Sequence, residues 1–286
     1  MGEARASLQH FEAALKAAEE ISELRLMATI PANLGQAHAT ACHYQSALGL
    51  LDQAIAEMRE HPLRPSARPT FAYTQSCRGF VHADQGRFDE AYADFDAAMA
   101  TLDGDDHEMT ASVLTMRSAA LLWEGRFDDA LHYAEEGLSV AERVKARYLF
   151  AMARSLAAYA RWRMHGDAAE IGTIESATEW LEASASQQFI SLNHGWLAET
   201  LVAQGRIEAA RRHAALAVQR ARKGDRLGEA MAWRAMAEAA RATHQPKRAA
   251  RYLACAERAA AARQSPHEAA KNRRVHAGAE ALAAID

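Results

Sequence analysis

The residues that could do chemistry are few and badly spaced for it. Asp103-Gly104-Asp105-Asp106-His107-Glu108 crowds four acids into one loop, the oxygen-rich ligand set that calcium takes. The EF-hand spacing fails because Glu108 stands where the sharp-turn glycine is needed. The run therefore reads as an acidic inter-helix loop with Asp105 as the next N-cap. His38 and His43 are five apart, which does not place both on one helix face as an i, i+4 metal pair would be. His38 and His82 read as core histidines. The carboxylate pairs Asp89/Glu90, Asp128/Asp129 and Glu135/Glu136 read as solvated helix faces rather than acid–base dyads. Cys42, Cys77 and Cys255 are odd in number and scattered, without a CxxC, so neither a disulfide framework nor a zinc site is indicated. No Walker, dinucleotide-binding, GxSxG, HExxH or kinase signature occurs. The expectation is no catalytic residue, no metal, no cofactor and no enzyme.

The elements that would have to position any site are helical. Half of the 286 residues are apolar, 24% are charged, and alanine alone makes up about a quarter. Alanine costs a helix least and lets two helices approach closely, whereas no stretch shows the β-branched alternation of a strand. The net charge of -4 argues against a whole-surface nucleic-acid or anionic-membrane binder. That average hides an asymmetry: residues 1–202 hold 16 Lys+Arg against 29 Asp+Glu (16 - 29 = -13), and residues 203–286 hold 17 against 8 (17 - 8 = +9). Either the outer faces are unevenly composed, or the basic end docks an acidic partner. The first residues lack an apolar leader core and no window approaches a membrane span, so a cytoplasmic location is expected.

The organising signal is internal repetition. Gln85-Gly86-Arg87-Phe88-Asp89-Glu90-Ala91 recurs as Glu124-Gly125-Arg126-Phe127-Asp128-Asp129-Ala130 and as Gln204-Gly205-Arg206-Ile207-Glu208-Ala209-Ala210. Each is a turn between two helices: the glycine ends one and the acids enter the first turn of the next. Gly79, Gly86, Ala91, Phe95 and Ala98 resemble the tetratricopeptide repeat. So do Gly35, Cys42, Ala47, Leu51 and Ala54, with cysteine in place of the turn glycine, and Ala198, Gly205, Ala210 and Ala217. The last unit keeps Ala250 but loses the turn glycine, and Ala254 and Glu257 replace the aromatic and the final alanine. At His165-Gly166-Asp167, Ile171 takes the alanine position and residues 168–176 look like a lengthened loop.

The spacing from Ala91 to Ala130 is 39 and from Ala210 to Ala250 is 40, against about 34 for the common repeat. Ser22, Ser66, Asp105 and Asp225 stand about twenty residues before their turns as candidate N-caps, which predicts long first helices. Pro69 fits a first turn, and Pro31 should kink its helix. The expected units are a half repeat over 3–20, then 22–60, 66–101, 105–143, 146–185, 186–223 and 225–263, with a cap helix over 267–284. Together they make one all-α domain over 1–286, a right-handed α-solenoid of about six helix pairs.

The repeat length, the Ala and Arg content and the run from Gly224 to Arg234 also resemble the C-terminal helical arrays of bacterial multidomain regulators, adenylate-cyclase-like signalling ATPases and the LuxR/MalT type. That resemblance implies a signal-transduction or transcription-regulation role, with any nucleotide-binding part outside this chain. The repeat resemblance implies a concave groove lined by first helices. Carried onto matching positions it selects Gln36, Thr40, Tyr73, Ser76, Phe80, Asp84, Ser112, Thr115, Trp123, Leu192 and Glu199. Phe80 and Trp123 read rather as inter-repeat core, and Trp162, Trp180, Trp196 and Trp233 as core. The expected work is non-catalytic protein or peptide binding, with a groove that receives a small-molecule inducer as the alternative. Finally, Gly2, Ser7, Phe11 and Ala14 fit a second helix whose first is absent. That leaves Leu8, Phe11 and Leu15 as an uncovered apolar stripe for an upstream domain or a second copy.

Overall fold

The computed structural model describes residues 24–60, 65–104, 106–184 and 189–283, with positions 10, 13, 14, 16 and 17 before them. Leu8, Phe11 and Leu15, and with them the expected association stripe, lie outside the described residues. Thirteen helices and no strand occur among those described. They are α1 (Leu24–Thr40), α2 (Tyr44–Glu60), α3 (Arg68–Asp84), α4 (Phe88–Leu102), α5 (Glu108–Glu124), α6 (Phe127–Arg143), α7 (Arg147–His165), α8 (Ala169–Ala183), α9 (Ile190–Ala203), α10 (Ile207–Ala221), α11 (Glu229–Ala242), α12 (Pro246–Ala262) and α13 (Pro266–Ala283). Odd- and even-numbered helices form successive hairpins, and α13 closes the series.

One turn geometry recurs along the array. A residue in the left-handed region ends the helix, and the next amide donates to the carbonyl five positions back, which satisfies an orphan carbonyl of the last helical turn. Glycine takes that position at Gly86, Gly125 and Gly205 (φ 77, 92 and 70°). Cys42, Lys145, His244 and Gln264 adopt it without being glycine (φ 53 to 59°). The bond is the same in both sets: Arg87 to His82, Arg126 to Leu121 and Arg206 to Leu201 at 2.9 Å, His43 to His38 at 2.8 Å, and Gln245 to Ala240 at 2.9 Å. The missing turn glycine of the last pair is thus replaced by His244.

Within each hairpin the small residues set the approach. Ala91, Phe95 and Ala98 on α4 are fully buried against α3, where a Cβ on Gly79 would lie 2.9 Å from the Ala91 carbonyl oxygen. Ile171 fills the alanine position of α8 and is buried. Residues 169–176 are therefore helix, not a lengthened loop: Gly166 (φ 69°) ends α7 and the next helix starts three residues later.

The capping residues also differ from expectation. His107, not Asp105, caps α5, its ring nitrogen accepting from the Met109 amide at 3.0 Å; Asp105 itself lies outside the described residues, as does Ser22. Ser66 sits in a 3-10 turn ahead of α3, whose cap position is Ala67, while Pro69 occupies the first turn as expected. The extra length of each unit is shared, since first helices run 14 to 19 residues and second helices 15 to 17. Pro31 is accommodated inside α1.

Asp225 caps no helix of its own and instead is buried beneath the start of α9. Its carboxylate accepts from the Ser191 amide (2.7 Å) and hydroxyl (2.6 Å), and Ser191 Oγ accepts from the Gly228 amide (2.9 Å). Burial pushes the Asp225 carboxyl upward, against the bonds from Ser191.

The array curls until its last turns meet its first. The Arg226 amide, between α10 and α11, donates to the Thr40 carbonyl at the end of α1 (3.1 Å). Arg263, in the α12–α13 turn, grips Asp84 at the end of α3 with Nε (2.9 Å) and Nη2 (2.6 Å), and its Nη1 donates to the Leu227 carbonyl. Tyr44 donates its hydroxyl to the same carboxylate, and His267 Nε2 lies 3.4 Å from it. Asp84 and Arg263 are 0% and 1% exposed at their side chains, so this clasp between residues 179 apart in sequence is shielded from water. Around it, the His267 ring stacks on Trp123 (5.2 Å, 14°), and a Cβ on Gly86 would meet Pro266 at 2.8 Å.

Candidate functional site

Inside the curl, the first helices α1, α3, α5, α7 and α9 present side chains to one cavity of about 420 Å³. The helical period puts Ser112, Thr115, Met116 and Ala119 of α5 on one stripe, and Leu149, Met152 and Leu156 of α7 on another. Phe189 enters from the loop ahead of α9, held by a left-handed backbone (φ 60°), and its ring meets Phe80 edge-on at 5.6 Å. Phe80 in turn lies 4.7 Å from Trp123. The wall is therefore apolar and sulfur-rich, with Met109, Met116 and Met152 able to adapt to an occupant. Gln36, Ser112, Thr115, Glu108, Arg147 and Tyr148 supply its polar groups. Burial and neighbouring Cys77 push the Tyr73 hydroxyl well above its ordinary range.

Of the residues selected from sequence, Gln36, Tyr73, Phe80, Ser112, Thr115 and Leu192 line this cavity together. The other five do not. The Thr40 hydroxyl bonds back to the Gln36 carbonyl, and the Ser76 hydroxyl to the Tyr73 carbonyl. Asp84 is held in the clasp, and Trp123 is buried between Phe80 and His267. Glu199 belongs to an ion network farther along the array. It accepts from the Tyr159 hydroxyl at 2.9 Å, and Arg234 binds Glu268 (2.6 Å) and Asn272 (3.0 Å) beside it. Burial would push the Glu199 carboxyl up, but Lys271, Arg234 and Arg163 together hold it below its ordinary range.

Met109, Met152, Arg147, Tyr148, Phe189 and Trp196 are among the lining residues that had not been selected. Arg147 and Tyr148 open α7 directly after the Lys145 turn, which the repeat spacing could have flagged. Phe189 carries no sequence signal, since it comes from an inter-unit loop. Trp162, Trp196 and Trp233 are buried or half-buried as expected, but Trp180 is 40% exposed. The reason is its place on α8, where α7 and α6 leave a groove open above it.

The remaining sequence candidates resolve as structural parts. His38 and His43 meet at 3.4 Å across the α1–α2 turn, which the one-helix argument did not foresee, yet no cluster of three metal-ligating side chains exists among the described residues. His82 is buried, 3.3 Å from Asp94. Asp106 pairs with Arg143 through two bonds of 2.7 Å, Asp129 with Arg126, and Glu135 with Arg161. No helix among the described residues is long and apolar enough to cross a membrane.

These features define a helical-repeat solenoid with an internal cavity. Residues 70–143, α3 to α6 and about a quarter of the chain, match the family model of the tetratricopeptide repeat. No curated protein matches the sequence. Among solved structures, the chain is similar to the Rap protein complexed with competence and sporulation factor, at 12% identity and a TM-score of 0.60, over 87% of this chain and 81% of that one. It is also similar to BtubC (BKLC) from P. vanneervenii, at 13% identity and a TM-score of 0.52, over 77% of this chain and 91% of that one. At these identities the likeness is one of fold.

Proposed function

We propose that this chain is a non-catalytic binding module whose inner cavity receives an apolar side chain or short segment of a peptide or protein partner. The observation that carries the proposal is the convergence of five first helices on one apolar cavity with polar groups at defined points, the layout of a site built for a ligand rather than a filled core. The Rap protein, bound to competence and sporulation factor, offers a precedent for a ligand on a similar fold. A place within a bacterial signalling or transcription regulator is part of the proposal; it rests on the repeat length and composition. Selection of peptides from a displayed random library tests it. Binders should share bulky apolar residues and should lose affinity to Ser112→Trp, which fills the cavity. Binders indifferent to that change would overturn the site.

A second reading, a receptor for a small-molecule inducer, is favoured by size, since about 420 Å³ lies within the range of small-ligand pockets. A metabolite that raises the melting temperature of the wild type but not of Ser112→Trp would decide for it.

A further inference from the structure

Beside the inner cavity, and sharing Arg147 with it, a second groove of about 400 Å³ runs between the end of α6, the first half of α7 and the second half of α8. Arg147, Phe150, Ala151 and Arg154 reach it at helical spacing, and Trp180 walls it from α8. Trp180 is the one large apolar side chain among the described residues that stands exposed. Lys145, Arg147 and Arg154 rim the groove, all exposed, and none of the three forms an ion pair among the described residues. Glu142 is the only acid in its lining.

Through residue 202 acids outnumber bases by 29 to 16, and Arg78, Arg117, Arg126, Arg143 and Arg161 are each taken by a carboxylate of the chain. Three cations left unpaired around an exposed tryptophan, in an acid-rich stretch, complement charge that the described chain does not supply. We infer that this groove docks an acidic segment of a partner protein, which sets an apolar side chain against Trp180 and its carboxylates against Lys145, Arg147 and Arg154. The cations would steer the encounter, and the aromatic contact would anchor it. A long polyanion fits less well, because the acids of the same half would repel its flanks. The inference does not depend on the inner cavity being a ligand site.

The test uses the full chain and a fluorescein-labelled peptide of glutamates around one phenylalanine, followed by anisotropy and, with unlabelled peptide, by the difference in acrylamide quenching of tryptophan fluorescence between wild type and Trp180→Ser. Binding should shield Trp180, weaken with salt, and fall by roughly tenfold or more for Trp180→Ser and for the pair Lys145→Glu, Arg154→Glu. It should fall likewise when the peptide phenylalanine becomes serine, and should be unchanged in Ser112→Trp. The peptide arms on wild type decide the matter even where a protein variant folds poorly. Equal binding of the matching lysine peptide, equal binding by Trp180→Ser, no binding, or preferential binding of oligothymidylate would overturn the inference. Self-association of the chain that Trp180→Ser abolishes, without peptide binding, would assign the groove to a second copy instead.

Discussion

Replacing Arg263 with alanine should open the curl at a cost that the geometry fixes within a narrow range. The guanidinium makes two bonds to Asp84, at 2.9 and 2.6 Å, and one to the Leu227 carbonyl, with both charged side chains shielded from water. Removing it leaves the Asp84 carboxyl buried beside Tyr44, with a hydrogen bond from that hydroxyl but no cationic partner in contact, since the His267 ring 3.4 Å away is held neutral. Burial without a cation is the situation in which a broken pair costs about 3–5 kcal/mol, whereas an exposed pair is worth about 0–1 kcal/mol. Arg87–Glu90, with both partners about half exposed, provides that control within the same chain. Urea unfolding of Arg263→Ala, Asp84→Ala and Arg87→Ala should therefore give two large losses and one small loss. The double variant should lose less than the sum of the clasp singles, because removing both charges abolishes the orphan. Small-angle scattering should show a larger radius of gyration once the clasp is cut. Losses below about 1 kcal/mol for both clasp variants, or a sum that is strictly additive, would refute the reasoning that the ends of the array are joined by a buried ion pair.

Three further outcomes follow from neighbouring features. Burial holds the His267 pKa down to about 4, although Asp84 and Glu268 pull it up, so the folded chain keeps it neutral while the unfolded chain protonates near its ordinary value. That contribution is whole above about pH 6.5 and is lost as the pH falls toward 4, at up to ~1.4 kcal/mol per unit, so unfolding free energies of His267→Gln should depend less steeply on pH in that window than those of wild type. Gly228→Ala should destabilise by about 3 kcal/mol or more in chemical denaturation, because the new Cβ would clash with the Ser191 carbonyl oxygen, in backbone that Asp225 pins. His244→Gly should raise stability by about 0.5–1 kcal/mol in thermal melts, since His244 is exposed and holds a left-handed turn that glycine takes without strain; no gain would mean the ring makes a compensating contact.

Local chemistry carried most of the architecture in the sequence. Alanine at most of the close crossings, a repeated glycine-and-acid turn and spacing near forty residues specify helix hairpins, because these requirements are met within a few residues of one another. That local logic also placed Gln36, Tyr73, Phe80, Ser112, Thr115 and Leu192 on inward faces, where they line one cavity. It failed where partners come from elsewhere in the chain. Asp225 has the composition of a cap, but α9, thirty-odd residues earlier, claims it through Ser191. Asp84 has the position of a groove residue, but Arg263 arrives from the far end of the array to cover it. Trp180 has the composition of a core residue, but its burial depended on whether neighbouring helices reach over it, and they do not. Repeat periodicity records how each unit meets the next; the accumulated curvature that brings the last turn onto the first is the sum of small rotations at every interface, and only the tertiary structure carries that sum.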